Sequence, residues 1–268
     1  MSEQKHECTG CGKGCSGSGQ INPETLKNTP LRQVKTLVGV MSGKGGVGKS
    51  LITILLAREL TKTGKKVAIL DADALNPSIP RLLGLESRAV AGDEGLYPAV
   101  APCGLKVMSL RLLMEREADP VLWPGPIQAK AVGQFWNEVV WDDVDVMLID
   151  LPTGTGDVAQ KLLNDFPLDG LIVVSTPQGL SKIAAMRAIY MVQTFDGTVL
   201  GLVENFSVGD RDHPLAEDAD LQGIPVLDRL PLDSRLAQAA ELGQFETLEQ
   251  DYLKNTAARI AELAPKLQ

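Results

Sequence analysis

The chain has 268 residues, a length that suits one large α/β domain or two small ones. Hydrophobic residues make up 44% of it and aromatic residues only 4%, so aliphatic side chains must fill the core. Acidic residues outnumber basic ones by 34 to 26, and the net charge of −8 argues against non-specific nucleic-acid binding and against docking on anionic lipid. The sequence shows neither an apolar run of about 18 residues nor a signal peptide. We therefore expect a cytoplasmic protein with no nucleic-acid or membrane partner.

Residues 1–30 differ in composition from the rest of the chain. They are rich in Gly, Ser, Cys, Lys and Glu and nearly devoid of apolar side chains, which is typical of a segment that cannot bury enough surface to fold alone. We therefore expect a flexible tail over residues 1–30 and one folded domain over residues 31–268.

The tail contains three closely spaced cysteines, Cys8, Cys11 and Cys15, in the pattern C-x₂-C-x₃-C. A reducing cytoplasm favours thiols or metal ligands over disulfides. Thiolates at this spacing in a glycine-rich stretch can wrap one iron–sulfur cluster, while a zinc site and unligated thiols are the two alternatives. A cluster would need a fourth ligand, from His6, Cys103, a small molecule or a partner subunit.

From about residue 34 onward, short apolar runs alternate with longer amphipathic ones. Several short runs lack polar alternation, as expected for strands buried on both faces. The predicted strands are Thr36–Met41, Lys66–Leu70, Leu105–Leu110, Val144–Ile149, Gly170–Ser175, Val199–Val203 and Pro225–Asp228. The predicted helices are Lys49–Thr63, Ile127–Val140, Asp157–Asn164, Ser181–Phe195, Ser234–Leu242 and Leu248–Leu263. This alternation predicts an α/β fold, a doubly wound and mostly parallel sheet with helices on both faces.

A glycine-rich loop, Ser42–Ser50, joins the first predicted strand to the first predicted helix and fits the phosphate-loop pattern G-x-x-x-x-G-K-[ST]. In this context the loop N–H groups and the helix N-terminus offer partial positive charge to a polyphosphate. Lys49 is expected to reach the β- and γ-phosphates and to assist catalysis, and the Ser50 hydroxyl to bind Mg²⁺. The residues predicted to bind nucleotide here are Gly43, Lys44, Gly45, Gly46, Val47, Gly48, Lys49, Ser50 and Leu51.

Carboxylates follow two of the predicted strands, at the sheet edge where ligands bind in such folds. Asp73 is predicted to orient or deprotonate the attacking water, and Asp71 and Asp150 to hold the Mg²⁺ shell. Capping of the following turn is the alternative for Asp71 and Asp73. Shortly after Asp150, Gly154 and Gly156 can offer N–H groups to the γ-phosphate from a loop that responds to it.

Two later segments offer contacts to a nucleotide base. Asn205 ends a predicted strand, and its amide can pair with both the donor and the acceptor edge of an adenine. Pro231 and Asp233 lie after the last predicted strand, where a base can also be contacted. All three residues are predicted to bind the nucleotide.

The phosphate loop carries a second lysine, Lys44, which a plain phosphate loop does not need. The variant K-G-G-x-G-K-[ST] resembles the deviant Walker A loop of the ATPases that include MinD, ParA, the nitrogenase iron protein and the Mrp-type iron–sulfur carriers. In that superfamily the first lysine crosses a dimer interface to the partner's nucleotide. The resemblance therefore implies a homodimer in which Lys44 is catalytic in trans, a contribution of about 10³–10⁵ in rate for a cation so placed.

Several segments narrow the resemblance to the Mrp/ApbC branch, over about residues 36–242. That family consists of homodimeric ATPases that carry or assemble iron–sulfur clusters, and it includes the eukaryotic cytosolic iron–sulfur scaffold proteins. The resemblance implies slow hydrolysis of ATP with Mg²⁺, adenine binding at Asn205, a cluster expected to be 4Fe–4S, and transfer to apo iron–sulfur proteins or another scaffold. The segments that carry it are Ser42–Ser50, Asp71–Arg81, Trp123–Pro126, Asp150–Asp157, Thr176–Gln178, Val203–Asn205 and Pro231–Asp233.

The chain departs from this family at two places. The family's scaffold proteins carry a C-x-x-C pair shortly after the Val-Glu-Asn segment, and that pair holds a bridging cluster, but here no cysteine follows Cys103. We therefore expect the cluster on the N-terminal cysteines, which resemble the four-cysteine motif of the eukaryotic-type scaffolds. Thr153 replaces a proline of the family's usual D-x-P-P-G-T. The alternative function is a MinD/ParA-like regulatory ATPase switch without a cluster.

Overall fold

The computed structural model describes residues 32–116, 118–207 and 223–263. Its strands are β1 (Arg32–Met41), β2 (Val67–Asp71), β3 (Val90–Ala91), β4 (Leu96–Tyr97), β5 (Ala99–Val100), β6 (Lys106–Met108), β7 (Trp141–Asp150), β8 (Gly170–Ser175), β9 (Val199–Ser207) and β10 (Val226–Pro231). Eight of them form one sheet in the order β10-β9-β8-β1-β7-β2-β6-β5, and β3 pairs with β4. Neighbours in the large sheet are parallel except β5 and β6.

Helices lie between these strands. They are α1 (Lys49–Lys62), α2 (Ile79–Leu82), α3 (Gly125–Glu138), α4 (Asp157–Asp165), α5 (Gly179–Thr194), α6 (Ser234–Leu242) and α7 (Lys254–Ala261), with 3₁₀ helices at Leu110–Leu113 and Phe245–Thr247. In the described part of the chain, no helix has both the length and the apolar character that crossing a membrane requires.

The sheet has a hydrophobic core on each face. Side chains alternate across a strand, so in β1 Leu37 packs with side chains of α3, α4 and α5, whereas Val38 packs with those of α1, α6 and α7. Strands β2 and β8 are buried along their whole length, which explains their unbroken apolar sequence. The predicted fold class, a doubly wound and mostly parallel sheet, is confirmed.

Six of the seven predicted strands depart from their predicted limits, and only Gly170–Ser175 keeps them. Two of the departures have a cause in nearby contacts. β1 begins at Arg32 rather than Thr36, because the Arg32 guanidinium is buried 4.6 Å from the centroid of the Trp136 ring. The predicted strand Leu105–Leu110 shortens to β6, since the Ser109 hydroxyl caps the 3₁₀ helix that follows. The sequence analysis did not predict α2 or β3 to β5, which are all short.

The last helix begins at Lys254 rather than at the predicted Leu248. The Arg58 side chain donates hydrogen bonds to the carbonyl oxygens of Leu248 and Gln250, and the Gln250 bond is 3.1 Å long. These carbonyls therefore serve a tertiary contact with α1 instead of a helical turn. The apolar pattern of the segment reflects packing on the domain, since Tyr252 is buried.

The sheet order brings the predicted phosphate-site segments together. β7 lies between β1 and β2, and its Asp150 is in register with Val40 of β1 and Asp71 of β2. Because the three strands are parallel, their carboxyl ends meet at one edge. The phosphate loop and the carboxylates therefore emerge side by side.

Candidate nucleotide site

The phosphate loop is seated by two close contacts at its glycines. A Cβ atom on Gly48 would lie 2.3 Å from Asn205 Nδ2, and one on Gly43 would lie 1.8 Å from the carbonyl oxygen of Ala184 in α5. Gly48 also has a φ of +85°, in the left-handed region that favours glycine. Glycine is required at both positions, and the loop is wedged between β9 and α5.

A buried ion pair lies next to the phosphate loop, at the start of α1 and the end of β7. Lys49 Nζ lies 2.8 Å from Asp150 Oδ1, and both side chains are almost fully buried. The Ser50 hydroxyl donates to Asp150 Oδ2 at 2.6 Å, and the Thr53 hydroxyl donates to Oδ1 at 2.8 Å. Each carboxylate oxygen of Asp150 is therefore fixed in orientation, which preorganises the site.

The loop and the lysine present unsatisfied donors. The N–H groups of Gly45, Gly46 and Val47 meet no acceptor in the described part of the chain. Lys49 Nζ is buried and makes no hydrogen bond there beyond its charge contact with Asp150. Buried donors need acceptors, and phosphate oxygens at a helix N-terminus supply them. The Asp150 and Ser50 oxygens are hard ligands of the kind that Mg²⁺ prefers, so the residues present fit a magnesium polyphosphate.

Asp71 is buried at the same edge and is held by the protein itself. Its carboxylate accepts hydrogen bonds from Ser109 Oγ at 3.0 Å and from the N–H groups of Asp73 at 3.2 Å and Ile79 at 3.3 Å. Burial, with repulsion from Asp150 as the next cause, raises the pKa of Asp71 to about 8. These contacts favour the capping interpretation, and the Mg²⁺ role of Asp71 stays a prediction.

Asp73 lines a cavity of about 290 Å³ at this edge, together with Thr153, Gly156 and Asp157. Its Oδ1 accepts a hydrogen bond from the N–H of Asn76 at 3.2 Å. The second carboxylate oxygen meets no donor in the described residues. An oriented carboxylate with one unused oxygen beside a solvent-sized space can bind a water molecule, so the predicted catalytic role is open to Asp73.

Backbone hydrogen bonds tie the loop after β7 to the end of β1 and to the phosphate loop. The N–H of Leu151 donates to the carbonyl of Val40 at 3.0 Å, and the N–H of Gly154 donates to the carbonyl of Ser42 at 2.8 Å. The expectation that Gly154 offers its N–H group to a γ-phosphate does not hold in this conformation, because Ser42 already accepts it. The contact instead links the two loops directly.

Asn205 braces the other end of the phosphate loop. Its Nδ2 donates to the carbonyl of Val47 at 2.9 Å, and its Oδ1 is buried without a donor in the described residues. The amide oxygen is therefore the atom of this side chain that remains for a ligand. Pro231 lies exposed at the end of β10 and is in register with Ser207 at the end of β9. We call this place, where the ends of β9 and β10 carry Asn205 and Pro231, the base corner.

Asp233 caps α6. Its carboxylate accepts hydrogen bonds from the N–H of Arg235 at 2.9 Å and from the Tyr252 hydroxyl at 3.0 Å, and it pairs with the Arg235 guanidinium at 2.7 Å. Hydrogen bonding to the Arg235 side chain is the main cause that lowers the pKa of Asp233 to about 2. The structure shows a helix cap, and the predicted nucleotide contact of Asp233 stays a prediction.

Lys44 is exposed at the outer side of the phosphate loop. Large apolar side chains are exposed on the segments that follow the carboxyl ends of several strands or begin the next helix. We call them the apolar rim: Leu75, Leu122, Trp123, Ile127, Leu180, Ile183 and Leu232.

Several predicted features lie outside the described residues. They include Cys8, Cys11 and Cys15, the proposed tail, and the region after Asn205 where the C-x-x-C pair is missing. Cys103 is exposed and free, although burial raises the pKa of its thiol. Within the residues that the structure describes, no group of three or more His, Cys, Asp or Glu side chains is arranged to hold a metal ion.

The sequence analysis missed two hydroxyl residues of the site. Thr53 follows Lys49 by one helical turn, and that i+4 spacing is the signal that places it on the face of Asp150. Ser109 directly follows β6 and reaches Asp71 at the end of the neighbouring strand β2, and no sequence spacing reveals such a contact.

A phosphate loop over a buried Lys–Asp pair, at the carboxyl edge of a doubly wound sheet, defines a P-loop nucleoside triphosphatase. The family model described as "ParA: NUBPL iron-transfer P-loop NTPase" matches residues 33–268, and the chain belongs to that family.

Relatives and solved structures agree with this assignment. An iron–sulfur cluster carrier protein of Clostridium perfringens is 38% identical, and the match covers 90% of this chain and 91% of the relative. A nucleotide-binding protein of Archaeoglobus fulgidus, solved in complex with ADP, is 36% identical with a TM-score of 0.73, covering 92% of this chain and 99% of that one. The cell division ATPase MinD of Pyrococcus furiosus is 21% identical with a TM-score of 0.65, covering 86% and 100%, and shares the fold.

Proposed function

We propose that this protein is an ATP-hydrolysing iron–sulfur cluster carrier that works as a homodimer. The observation that carries the nucleotide half is the buried Lys49–Asp150 pair beneath N–H groups that have no acceptor in the described residues. The cluster half is supported by family membership and by relatives named iron–sulfur cluster carrier proteins. The proposed location is the cytoplasm.

The proposed hydrolysis assigns one task to each residue. Lys49 and the loop N–H groups bind the β- and γ-phosphates and stabilise the charge that develops between them. When Mg²⁺ is held beside Ser50 and Asp150, with Asp71 as a proposed member of its shell, it supplies further charge neutralisation. Asp73 orients the attacking water from the neighbouring cavity. Turnover is proposed to be slow.

ATP is the proposed nucleotide because the base corner carries amide and carboxylate groups. The Asn205 amide oxygen accepts a hydrogen bond from an adenine amino group, since its nitrogen is engaged with Val47. Pro231 provides an apolar wall at the same corner, and Asp233 is proposed to contact the base from the start of α6.

The homodimer is proposed from Lys44 and the apolar rim. Lys44 is exposed rather than directed at its own ion pair, which suits a residue that acts on a partner's nucleotide. The apolar rim surrounds the same edge, and exposed apolar patches of this kind mark protein interfaces. Two chains joined face to face would bury the rim and bring each Lys44 to the other site.

The cluster is proposed to bind through Cys8, Cys11 and Cys15 as a 4Fe–4S cluster, for delivery to apo iron–sulfur proteins or another scaffold. Thiolate ligation displaces protons, so loading is favoured near or above neutral pH. A MinD/ParA-like switch without a cluster is the rival, since it shares the nucleotide chemistry.

The test compares the full-length chain with a variant that lacks residues 1–20, after identical anaerobic reconstitution with iron and sulfide. We expect iron, labile sulfide and absorption near 400 nm in the full-length protein only, with ATPase activity retained in both. A variant with Cys103→Ser separates the sources of the fourth ligand, since reduced loading in that variant would assign the fourth position to Cys103. Equal iron in the truncated protein would place the cluster elsewhere, and no iron in either would favour the switch.

A further inference from the structure

The loop after β7 presents a hydroxyl group that the proposed mechanism does not use. Apart from Gly45 and its two chain neighbours, the described residues place one heavy atom within 4 Å of the Cβ position of Gly45, and it is Thr153 Oγ1 at 3.9 Å. Thr153 is exposed, and its hydroxyl has no hydrogen-bond partner there. The hydroxyl therefore lies next to the part of the phosphate loop, Gly45 to Val47, whose N–H groups also have no acceptor in the described residues.

The backbone around Thr153 holds that hydroxyl in place. On one side, Pro152 restricts the chain, and on the other, the N–H of Gly154 donates to the carbonyl of Ser42 at 2.8 Å. Gly154 has a φ of +84°, so the turn is one that glycine permits. The backbone at Thr153 is thereby held against the phosphate loop, and Thr153 lines the cavity that Asp73 shares.

The order of the sheet shows which part of a nucleotide reaches Thr153. Asn205, at the proposed base corner, is in β9, two strands from β1 on one side. Asp150 ends β7 and Asp73 follows β2, on the other side of β1. A nucleotide with its base at Asn205 runs its phosphates along the loop toward β7, so its terminal phosphate arrives beneath Thr153.

We propose that Thr153 senses the terminal phosphate, its hydroxyl donating a hydrogen bond to a γ-phosphate oxygen that a diphosphate lacks. The inference rests on the proposed function, because it places a triphosphate in this site. A hydrogen bond to a charged acceptor is stronger than a neutral one, so the contact distinguishes triphosphate from diphosphate. It also carries the state of the nucleotide into the loop between β7 and α4.

The test measures Kd for a non-hydrolysable ATP analogue and for ADP, with Mg²⁺, in Thr153→Val, which keeps the shape and removes the hydroxyl. We expect affinity for the analogue to fall about tenfold and affinity for ADP to stay within about twofold. Thr153→Ser restores the hydroxyl and should restore the wild-type ratio of the two affinities. Thr155→Val makes the same change two residues further along the loop and should leave that ratio unchanged.

Three results would overturn the inference. The first is a ratio of the two affinities in Thr153→Val equal to that of the wild type. The second is an equal loss of affinity for the ATP analogue and for ADP, which indicates a structural role. The third is a Thr153→Ser variant whose affinity for the analogue is as low as that of Thr153→Val. Failure of the proposed function has a different signature, because the wild-type protein itself would then bind neither nucleotide.

Discussion

The amide nitrogen of Asn205 lies 2.9 Å from the carbonyl oxygen of Val47. This hydrogen bond joins Asn205, the last buried residue of β9, to the phosphate loop. The same nitrogen lies so near Gly48 that no side chain fits between them. Strand β9 therefore sets the position of the loop, as well as contributing to the base corner.

We predict that Asn205→Ala weakens nucleotide binding, because the Val47 carbonyl is released and the amide oxygen proposed for the base is lost. A fall of about tenfold in ATP affinity by calorimetry is expected from the loss of one or two hydrogen bonds. Asn164→Ala, at an exposed position on α4, is the control. ATP affinity equal to that of the wild type would show that Asn205 neither positions the loop nor contacts the base.

The two lysines of the loop should separate binding from hydrolysis. Lys44→Ala is expected to retain ATP affinity and to lose more than about 100-fold in kcat, since a cation acting in trans matters chiefly in the transition state. Lys49→Ala should weaken ATP binding itself and also destabilise the fold, because Asp150 would be left buried without its ion pair. Lys35→Ala, far from the loop, controls for loss of a surface lysine. A Lys44→Ala enzyme with wild-type kcat would refute the role across the subunit interface.

Asp73→Asn is expected to keep Mg·ATP affinity within about threefold while kcat falls about 100-fold or more, because orienting the attacking water is a catalytic task. The measurement is steady-state hydrolysis with an independent Kd, and Asp165→Asn on the surface of α4 is the control. Lost affinity with unchanged turnover at saturation would instead make Asp73 a structural or metal-shell residue.

Because Asp233 caps α6 in its ionised form, we predict that the free energy of unfolding decreases as the pH falls from about 4 toward 2. The folded pKa of Asp233 is lowered to about 2, so its ionised form stabilises the fold above the ordinary pKa near 4, and that contribution disappears as the pH falls toward 2. In urea unfolding at neutral pH, Asp233→Ala should lose about 1 kcal/mol through the missing cap, whereas Asn retains capping and should lose less. The gap between wild type and Asp233→Asn should narrow at pH 3 and below. A gap that is constant with pH would show that the Asp233 charge does not contribute.

The phosphate site could be predicted from the sequence, because its residues either belong to one short motif or follow strands that end at the same edge of the sheet. Lys49 and Ser50 are fixed by a motif, and Asp150 follows an apolar strand that a parallel sheet must place beside β1. The roles of Asp71 and Asp233 were harder to predict, since a carboxylate after a strand serves equally as ligand or cap, and only the partners in space distinguish the two. Ser109 could not be found at all, because its contact depends on β6 lying beside β2.

The helix predicted from Leu248 shows a different limit. Its apolar spacing is real, but Arg58 takes the carbonyl oxygens that a helical turn would need. The spacing of apolar residues indicates which side chains face the core. It does not show that a hydrogen-bond donor from another element will take the carbonyl groups that a helix needs.

The length of β1 has a practical consequence for experiments. Its ten residues, at about 3.3 Å each, place Arg32 about 30 Å from the phosphate loop, on the opposite pole of the sheet. A chain whose attachment point is placed directly before Arg32 is therefore held at the end of the sheet remote from the nucleotide edge, which stays open to solution. Such an orientation allows nucleotide exchange and the docking of a second chain to be recorded on immobilised molecules.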